Sequence, residues 1–331
     1  MRAYLIRRLL LVIPTFIGIT LITFVVVQLA PGSPVYLMLH GAEGALEGDA
    51  ATEQIVEQMQ ARFGLDQPIH IQYIHWLRDL VTLDFGASFR DGRPVIDKIT
   101  ERLPVTLELS AIAIFLTYII SVPVGVYSAT HRQSWGDTIV TLVLFILYSL
   151  PSFWVAMLLI FFFAGGQFFN WLPVHGLHSF GAEDYPWHWW LLDHLWHLVL
   201  PVFCLTYTGL AALSRYARAG MIEQVRQDYI RTARAYGFSE KVVIFKYAMR
   251  NSLIPIITLM ATLLPMLISG SVIIERIFSI QGLGMLAFEA VLTRDYPVIM
   301  GILSISALLT LAGLILSDIL YAIADPRIRF D

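Results

Sequence analysis

The chain contains a single cysteine, Cys204, among its 331 residues. An internal disulfide needs two cysteines, and a zinc site of the C-x-x-C type needs at least one such pair, so both are excluded. Charge is also scarce, since 14% of the residues are Asp, Glu, Lys or Arg, compared with about 25% in a typical soluble domain. The net charge of −3 provides no basic excess and argues against nucleic-acid binding. Hydrophobic residues, by contrast, make up 57% of the chain, and the mean hydropathy is +0.69.

Six long stretches lack Asp, Glu, Lys and Arg, and each is long enough for a membrane helix of about 20 residues. They cover 9–42, 109–131, 138–182, 194–214, 251–274 and 296–317. The first helix is expected to end near Pro31, and the third near Gly165 and Gly166. The first apolar run is about 22 residues long, beyond the 7–15 of a signal peptide, so we expect it to stay uncleaved. The sequence therefore predicts an all-α polytopic membrane protein with six transmembrane helices.

The distribution of Lys and Arg predicts the orientation. Segments 1–8, 131–137, 215–250 and 325–331 hold 14 of the 22 basic residues. Short loops rich in Lys and Arg stay on the cytoplasmic side, so both termini are predicted to be cytoplasmic. Three regions follow: a cytoplasmic start with the first helix (1–31), a long extracytoplasmic loop (32–104), and a five-helix core (105–331) that contains the cytoplasmic loop 215–250.

Two outer loops carry patterns of their own. Within 32–104, apolar residues at helical spacing predict amphipathic helices over 50–63 and 71–83. These helices form either a cap on the membrane surface or a docking surface for a partner outside. Loop 165–197 contains five tryptophans and five histidines. Clustered tryptophan is typical of a membrane interface, and the irregular histidine spacing favours an interfacial loop over a metal site.

The cytoplasmic loop 215–250 is patterned beyond a simple excess of basic residues. Residues 222–236 read as a helix, and Gly237 suits the left-handed position that ends one. Ser239 suits an N-cap, and a second helix is predicted over 240–250. A loop that only obeys the positive-inside rule would need neither the cap nor the glycine corner.

The residues around this corner resemble a known family. Tyr229-Ile-Arg-Thr-Ala-Arg-Ala-Tyr-Gly237, together with Tyr247-Ala-Met-Arg-Asn-Ser-Leu-Ile-Pro255, closely resembles the cytoplasmic loop of binding-protein-dependent ABC transporter permeases. The similarity is greatest to the first permease subunit of the dipeptide/oligopeptide/nickel branch. The family's general Glu-Ala-Ala is replaced here by Arg231-Thr232-Ala233, while its glycine is kept.

Further segments agree with this resemblance in order along the chain. They are Ala30-Pro-Gly-Ser-Pro34, Phe63-Gly-Leu-Asp-Gln-Pro68, Asp84-Phe-Gly-Ala-Ser-Phe89, Glu275-Arg-Ile-Phe-Ser279, Arg294-Asp-Tyr-Pro297 and Asp325-Pro-Arg-Ile-Arg329. Gln281 departs from the pattern, because the family usually has proline there. The resemblance therefore spans the whole chain.

The resemblance implies a type I ABC importer permease fold in the inner or plasma membrane of a prokaryote. It implies a non-catalytic subunit without cofactor or metal, in which ATP and Mg²⁺ are bound by partner ATPases. The chain itself has no G-x-x-x-x-G-K-[ST] phosphate loop. The implied partners are a sister permease that completes a heterodimer, two ABC ATPases, an extracytoplasmic substrate-binding protein and membrane lipid, with no nucleic acid. Contact with the ATPases is assigned to Arg231, Thr232, Ala233, Arg234, Ala235 and Gly237.

Short peptides are the expected cargo, with nickel or another small solute as the alternative. A self-contained secondary transporter would need paired ionisable groups deep in a span or inverted repeats, and the sequence contains neither. An intramembrane hydrolase would need a nucleophile signature such as G-x-S-x-G, which is also absent.

Overall fold

The computed structural model describes residues 2–29, 66–166, 168–253, 255–256, 259, 267 and 270–324, with backbone alone for 2–7 and 317–324. The predicted helix 50–63, most of the stretch 251–274 and the segment 325–331 lie outside the described residues. Within the described ranges the regular elements are helices, and β-type pairing is limited to an isolated bridge between Ala87 and Pro94.

Eleven helical elements are labelled here in chain order. They are α1 (Arg2–Gln28), α2 (Ile69–Val81), α3 (Val95–Thr130), α4 (Trp135–Ser149), α5 (Ser152–Phe163), α6 (Trp187–Val225), α7 (Asp228–Ala235), α8 (Glu240–Val242, continued by a π-helical stretch Val243–Ala248 and by Met249–Ser252), α9 (Val272–Ile277), α10 (Leu283–Thr293) and α11 (Tyr296–Ala324). The predicted helix over 71–83 is confirmed as α2.

Four of these helices, α1, α3, α6 and α11, are long and apolar enough to cross a membrane, and the pair α4–α5 brings the number to five if it forms one span. Each coincides with a predicted stretch, which confirms the multi-pass helical class. The count of six and the position of the termini remain predictions. Helix α3 begins at Val95 rather than Leu109, because the helix continues through charged residues outside the apolar stretch.

The third apolar stretch differs from the prediction of one continuous helix. It is broken at Leu150 and Pro151 into α4 and α5, which are bent by 101°. Proline has no N–H to donate, and its ring pushes the preceding residue into an extended conformation; Leu150 accordingly has ψ 129°. The Tyr207 hydroxyl donates to the Leu150 carbonyl at 3.0 Å, so the group that the break frees is satisfied.

The chain divides into two compact units, and the first contains residues 105–281 and 313–331. Its helices cross closely where α3 meets α6. A Cβ built on Gly125 would lie 2.5 Å from Ala217 Cβ and 2.6 Å from the Ser214 carbonyl oxygen. Only glycine at position 125 permits this approach.

The second unit contains residues 2–104 and 282–312. Here the Asp295 carboxylate is buried and accepts hydrogen bonds from the Ser88 hydroxyl and, at 2.9 Å, from the Phe89 N–H. Lys98 Nζ lies 3.9 Å from the same carboxylate and 2.9 Å from Asp91. Burial raises the pKa of Asp91, but the hydrogen bonds from Lys98, the Arg93 N–H and Ser88 outweigh it and lower the pKa overall. The motifs 84–89 and 294–297, recognised separately in the sequence, are therefore bonded to each other.

Candidate functional site

The cytoplasmic loop begins with the inner end of α6. This helix is continuous from Trp187 to Val225, so the predicted helix over 222–236 is wrong at its start. The chain turns at Arg226 and Gln227, and α7 begins at Asp228. The Asp228 carboxylate in the first turn suits the positive end of the helix. The turn redirects the chain so that Ile230 becomes fully buried.

The glycine corner predicted after α7 is confirmed. Gly237 has φ +78°, in the left-handed region that glycine enters without penalty. The Gly237 N–H donates to the Arg234 carbonyl at 2.9 Å and the Phe238 N–H to the Ala233 carbonyl at 3.4 Å. These two bonds form a Schellman motif, which satisfies carbonyls at the helix end.

The second helix follows as predicted in position but differs in detail. Ser239 occupies the N-cap of α8, although its side chain makes no capping hydrogen bond. The middle of α8, Val243–Ala248, is π-helical, and such stretches are often found at functional sites. The Arg234 guanidinium donates to Glu240 at 2.7 Å and thereby bridges α7 and α8 across the corner.

The inner face of α7 is packed within the chain. Ile230 and Ala233 belong to a buried cluster with Val126, Met221, Val243 and Ala248, from α3, α6 and α8. Ala233 is 5% exposed, so its small side chain allows close packing inside the loop. This placement separates Ala233 from the other five residues assigned to the ATPase contact.

The outer face of α7 carries those five residues. Arg231, Thr232, Arg234, Ala235 and Gly237 are all exposed. Arg231 pairs with Asp228 at 3.3 Å within the helix, and an ion pair this exposed contributes little to stability. These side chains therefore remain accessible to a partner.

Sequence reasoning missed the aromatic residues beside the corner. Tyr236 is 80% exposed, and Phe238 and Phe245 are also exposed. Aromatic and arginine side chains together are typical of the residues that dominate binding energy at interfaces. Two aromatics flanking a glycine in a polar loop were the signal that could have revealed them. We call Arg231, Thr232, Arg234, Ala235, Tyr236, Gly237 and Phe238 the corner surface.

Tyr229 anchors this region on the other side. Its hydroxyl donates to Gln224 Oε1 at 2.8 Å and accepts from Asn251 Nδ2 at 3.1 Å. The end of α6, the start of α7 and the end of α8 are thus joined through one side chain.

On the predicted outer side, histidines that looked irregular in sequence come together. His194 Nε2 lies 2.6 Å from Glu108 Oε1, and His194 Nδ1 lies 3.1 Å from His178 Nε2. The carboxylate of Asp193 lies 3.5 Å from His178 Nδ1 and 3.6 Å from His197 Nδ1. Burial, and then the neighbouring His194, lower the pKa of His178. Within the described ranges, no group of His, Cys, Asp and Glu has a geometry suited to a metal ion.

Two family models match the chain. Residues 121–330 match the model described as binding-protein-dependent transport system inner membrane component. Residues 1–110 match the model for the N-terminal part of the membrane component of such systems.

Individual relatives match over their full length. The oligopeptide transport system permease protein AppB of Bacillus subtilis is 41% identical over 331 residues, with complete coverage of both chains. The dipeptide transport system permease protein DppB of Alkalihalophilus pseudofirmus is 36% identical, again with complete coverage of both. A solved structure of the MetNI methionine ABC transporter in inward-facing conformations is 15% identical with a TM-score of 0.49, and the match covers 68% of this chain and 97% of that chain.

Proposed function

The chain belongs to the family of binding-protein-dependent transport system inner membrane components, and from this premise we propose that it is the permease subunit of an ATP-driven importer of short peptides. It forms half of the translocation pathway in a type I importer permease fold. The names of full-length relatives, an oligopeptide and a dipeptide permease protein, favour peptides over nickel. The chain is a multi-pass inner-membrane protein without catalytic residues of its own.

The partners are a sister permease in a heterodimer, two ABC ATPases and an extracytoplasmic substrate-binding protein. ATP and Mg²⁺ bind to the ATPases, and the binding protein delivers di- and oligopeptides from outside. The observation that carries the proposal is the corner surface: it is exposed on one side, while the inner face of the same helix is fixed to three other helices of the loop and core.

We assign ATPase contact to Arg231, Thr232, Arg234, Ala235 and Gly237, with Tyr236 and Phe238 added. Ala233 has a different role, because it holds α7 against α3 and α8. A helix that is bonded on one face and offered on the other transmits displacement. When the ATPase moves the corner surface, the buried cluster moves with it.

Helix α6 carries this displacement across the membrane. It has 39 residues, which corresponds to about 58 Å at 1.5 Å per residue. A bilayer with its headgroups is about 40–45 Å thick, so α6 extends beyond the headgroups towards α7. Coupling further requires that the ATPase contacts differ between the outward-facing and inward-facing states.

Co-purification tests this proposal. The chain is tagged, extracted from its native membrane in mild detergent, and its stoichiometric partners are identified by mass spectrometry. We expect a second permease and ABC ATPases. The complex, reconstituted with its binding protein, is expected to accumulate a labelled dipeptide only when ATP is supplied.

Each alternative predicts a different result. ATP-dependent uptake of labelled nickel without dipeptide uptake would support the alternative cargo. A chain that purifies alone and transports on an ion gradient without ATP would support a secondary transporter and contradict the role of the corner surface.

A further inference from the structure

A cavity of about 110 Å³ lies between α3, α4 and α6. Its wall includes Leu144, Phe145 and Tyr148 from α4 and Ser214, Arg215 and Arg218 from α6. Within each helix these residues are one, three or four positions apart, so they share one face. The cavity lies at the end of the spans that the Lys and Arg counts place on the cytoplasmic side.

Two polar groups in this wall are unsatisfied. Ser214 is 4% exposed, and neither its Oγ nor the buried Nε of Arg218 has a hydrogen-bond partner among the described residues. Buried polar groups are almost always paired, so a serine hydroxyl and an arginine N–H left open beside one cavity indicate a ligand with acceptor oxygens.

The charges around the cavity favour an anion. The Arg218 Nη2 donates to Asp137 at 2.8 Å, and this carboxylate is itself satisfied by the Ser128 hydroxyl and, at 3.0 Å, the Gln133 N–H. Asp137 thus balances one guanidinium. The second, on Arg215, lies over the Tyr148 ring at 5.5 Å and has no carboxylate in its printed contacts. The cavity therefore carries about one net positive charge.

The rest of the wall is apolar and open. Phe145 is 65% exposed and Tyr148 is 57% exposed, and α4 contains no charged residue after Asp137. A small soluble anion would gain nothing from this side. An amphiphile would place its anionic group at the arginines and its chains along α4.

We propose that this cavity binds the headgroup of an anionic phospholipid from the cytoplasmic leaflet. Ser214 Oγ and Arg218 Nε donate to phosphate oxygens, Arg215 supplies the charge, and the acyl chains lie along Leu144 and Phe145. Basic pockets between transmembrane helices on this side of a membrane are suited to anionic headgroups. The lipid fastens α4 to α6, the helix that leads to the corner surface.

Native mass spectrometry of the purified complex tests the site with phosphatidylglycerol and phosphatidylcholine as probes. The wild type is expected to retain phosphatidylglycerol more tightly. Each of Arg215→Gln and Ser214→Ala removes a hydrogen bond or charge at the phosphate, and the expected loss for phosphatidylglycerol is roughly tenfold or more. The control Arg132→Gln removes an exposed charge from the same membrane side, and its expected loss is at most about fivefold.

Ser214→Ala and Arg215→Gln leave the Arg218–Asp137 pair intact, so folding is not at stake, and unchanged partner stoichiometry verifies this. Equal affinity for both lipids, or a pocket variant that behaves like the Arg132 control, overturns the proposal. Displacement of phosphatidylglycerol by inorganic phosphate or by a dipeptide also overturns it, since the cavity would then bind a soluble anion. Exclusion of both lipids by the sister permease would do the same.

Discussion

The glycine corner offers the sharpest single substitution. Gly237 has φ +78°, and a Cβ at this position meets no atom within 4 Å. Gly237→Val therefore creates no clash, and its cost lies entirely in the backbone conformation. A β-branched residue held in the left-handed region costs about 1–3 kcal/mol. The native corner loses population by a factor of about 5–30 for a change of 1–2 kcal/mol.

The expected phenotype is uncoupling rather than misfolding, because the buried cluster behind α7 is untouched. The assay measures dipeptide uptake and ATP hydrolysis by the purified complex in proteoliposomes. Uptake per ATP hydrolysed is expected to fall by at least about fivefold, while the subunit stoichiometry stays the same.

Gly181→Val is the matched control. Gly181 has φ +80° and likewise nothing within 4 Å of an added Cβ, but it lies in the outer loop. It suffers the same backbone strain without touching the corner surface, and its ATP coupling is expected to stay intact. Wild-type uptake and ATP turnover in Gly237→Val, or equal uncoupling in both variants, would refute the coupling role of the corner.

Three further predictions concern other parts of the chain. Gly125→Ala is expected to destabilise the complex by about 1–3 kcal/mol through overpacking and to lower its Tm, whereas Gly18→Ala, with nothing within 4 Å, is expected to leave it unchanged; equal Tm values contradict the close crossing of α3 and α6. Tyr229→Phe removes two hydrogen bonds, each contributing about 1 kcal/mol, and is expected to accelerate hydrogen exchange in 228–235; unchanged exchange would show that the hydroxyl anchors nothing. Because the folded-state pKa of His178 is lowered, the stability that its neutral form provides is present above the unfolded value of about 6.5 and is lost as the pH falls below it. Hydrogen exchange in 168–186, corrected for its intrinsic rate, is expected to rise on acidification in the wild type and not in His178→Gln, and a rise of equal size in both excludes this histidine as the cause.

The sequence predicts the long helices and the glycine corner well, because each depends on local chemistry. A run of apolar residues specifies a membrane helix, and Gly237 alone in its segment suits a left-handed residue. The break at Leu150 and Pro151 shows the limit. Proline in a membrane helix is compatible with a mild kink or a sharp bend, and the 101° outcome depends on packing against α6, which supplies the Tyr207 hydroxyl.

The candidate site shows the same division. The exposed arginines of α7 follow from the charge pattern, but the inward direction of Ala233 depends on where α7 begins. A helix over 222–236 and a helix over 228–235 present different faces to the core, and the turn at Arg226 and Gln227 contains neither glycine nor proline to reveal it. The pairing of Ser88 with Asp295 joins positions that are 207 residues apart, and a single sequence contains no signal for such a contact.

The central claim is that the corner surface contacts an ATPase. Photo-crosslinking tests it most directly: a benzophenone amino acid replaces Tyr236 in the assembled complex, and mass spectrometry identifies the protein attached after illumination. A second complex carries the probe at Phe180, which is fully exposed in the outer loop. The account predicts an ATPase adduct from position 236 and none from position 180. An adduct from position 236 only to lipid or to the sister permease, with the ATPases present, would contradict it.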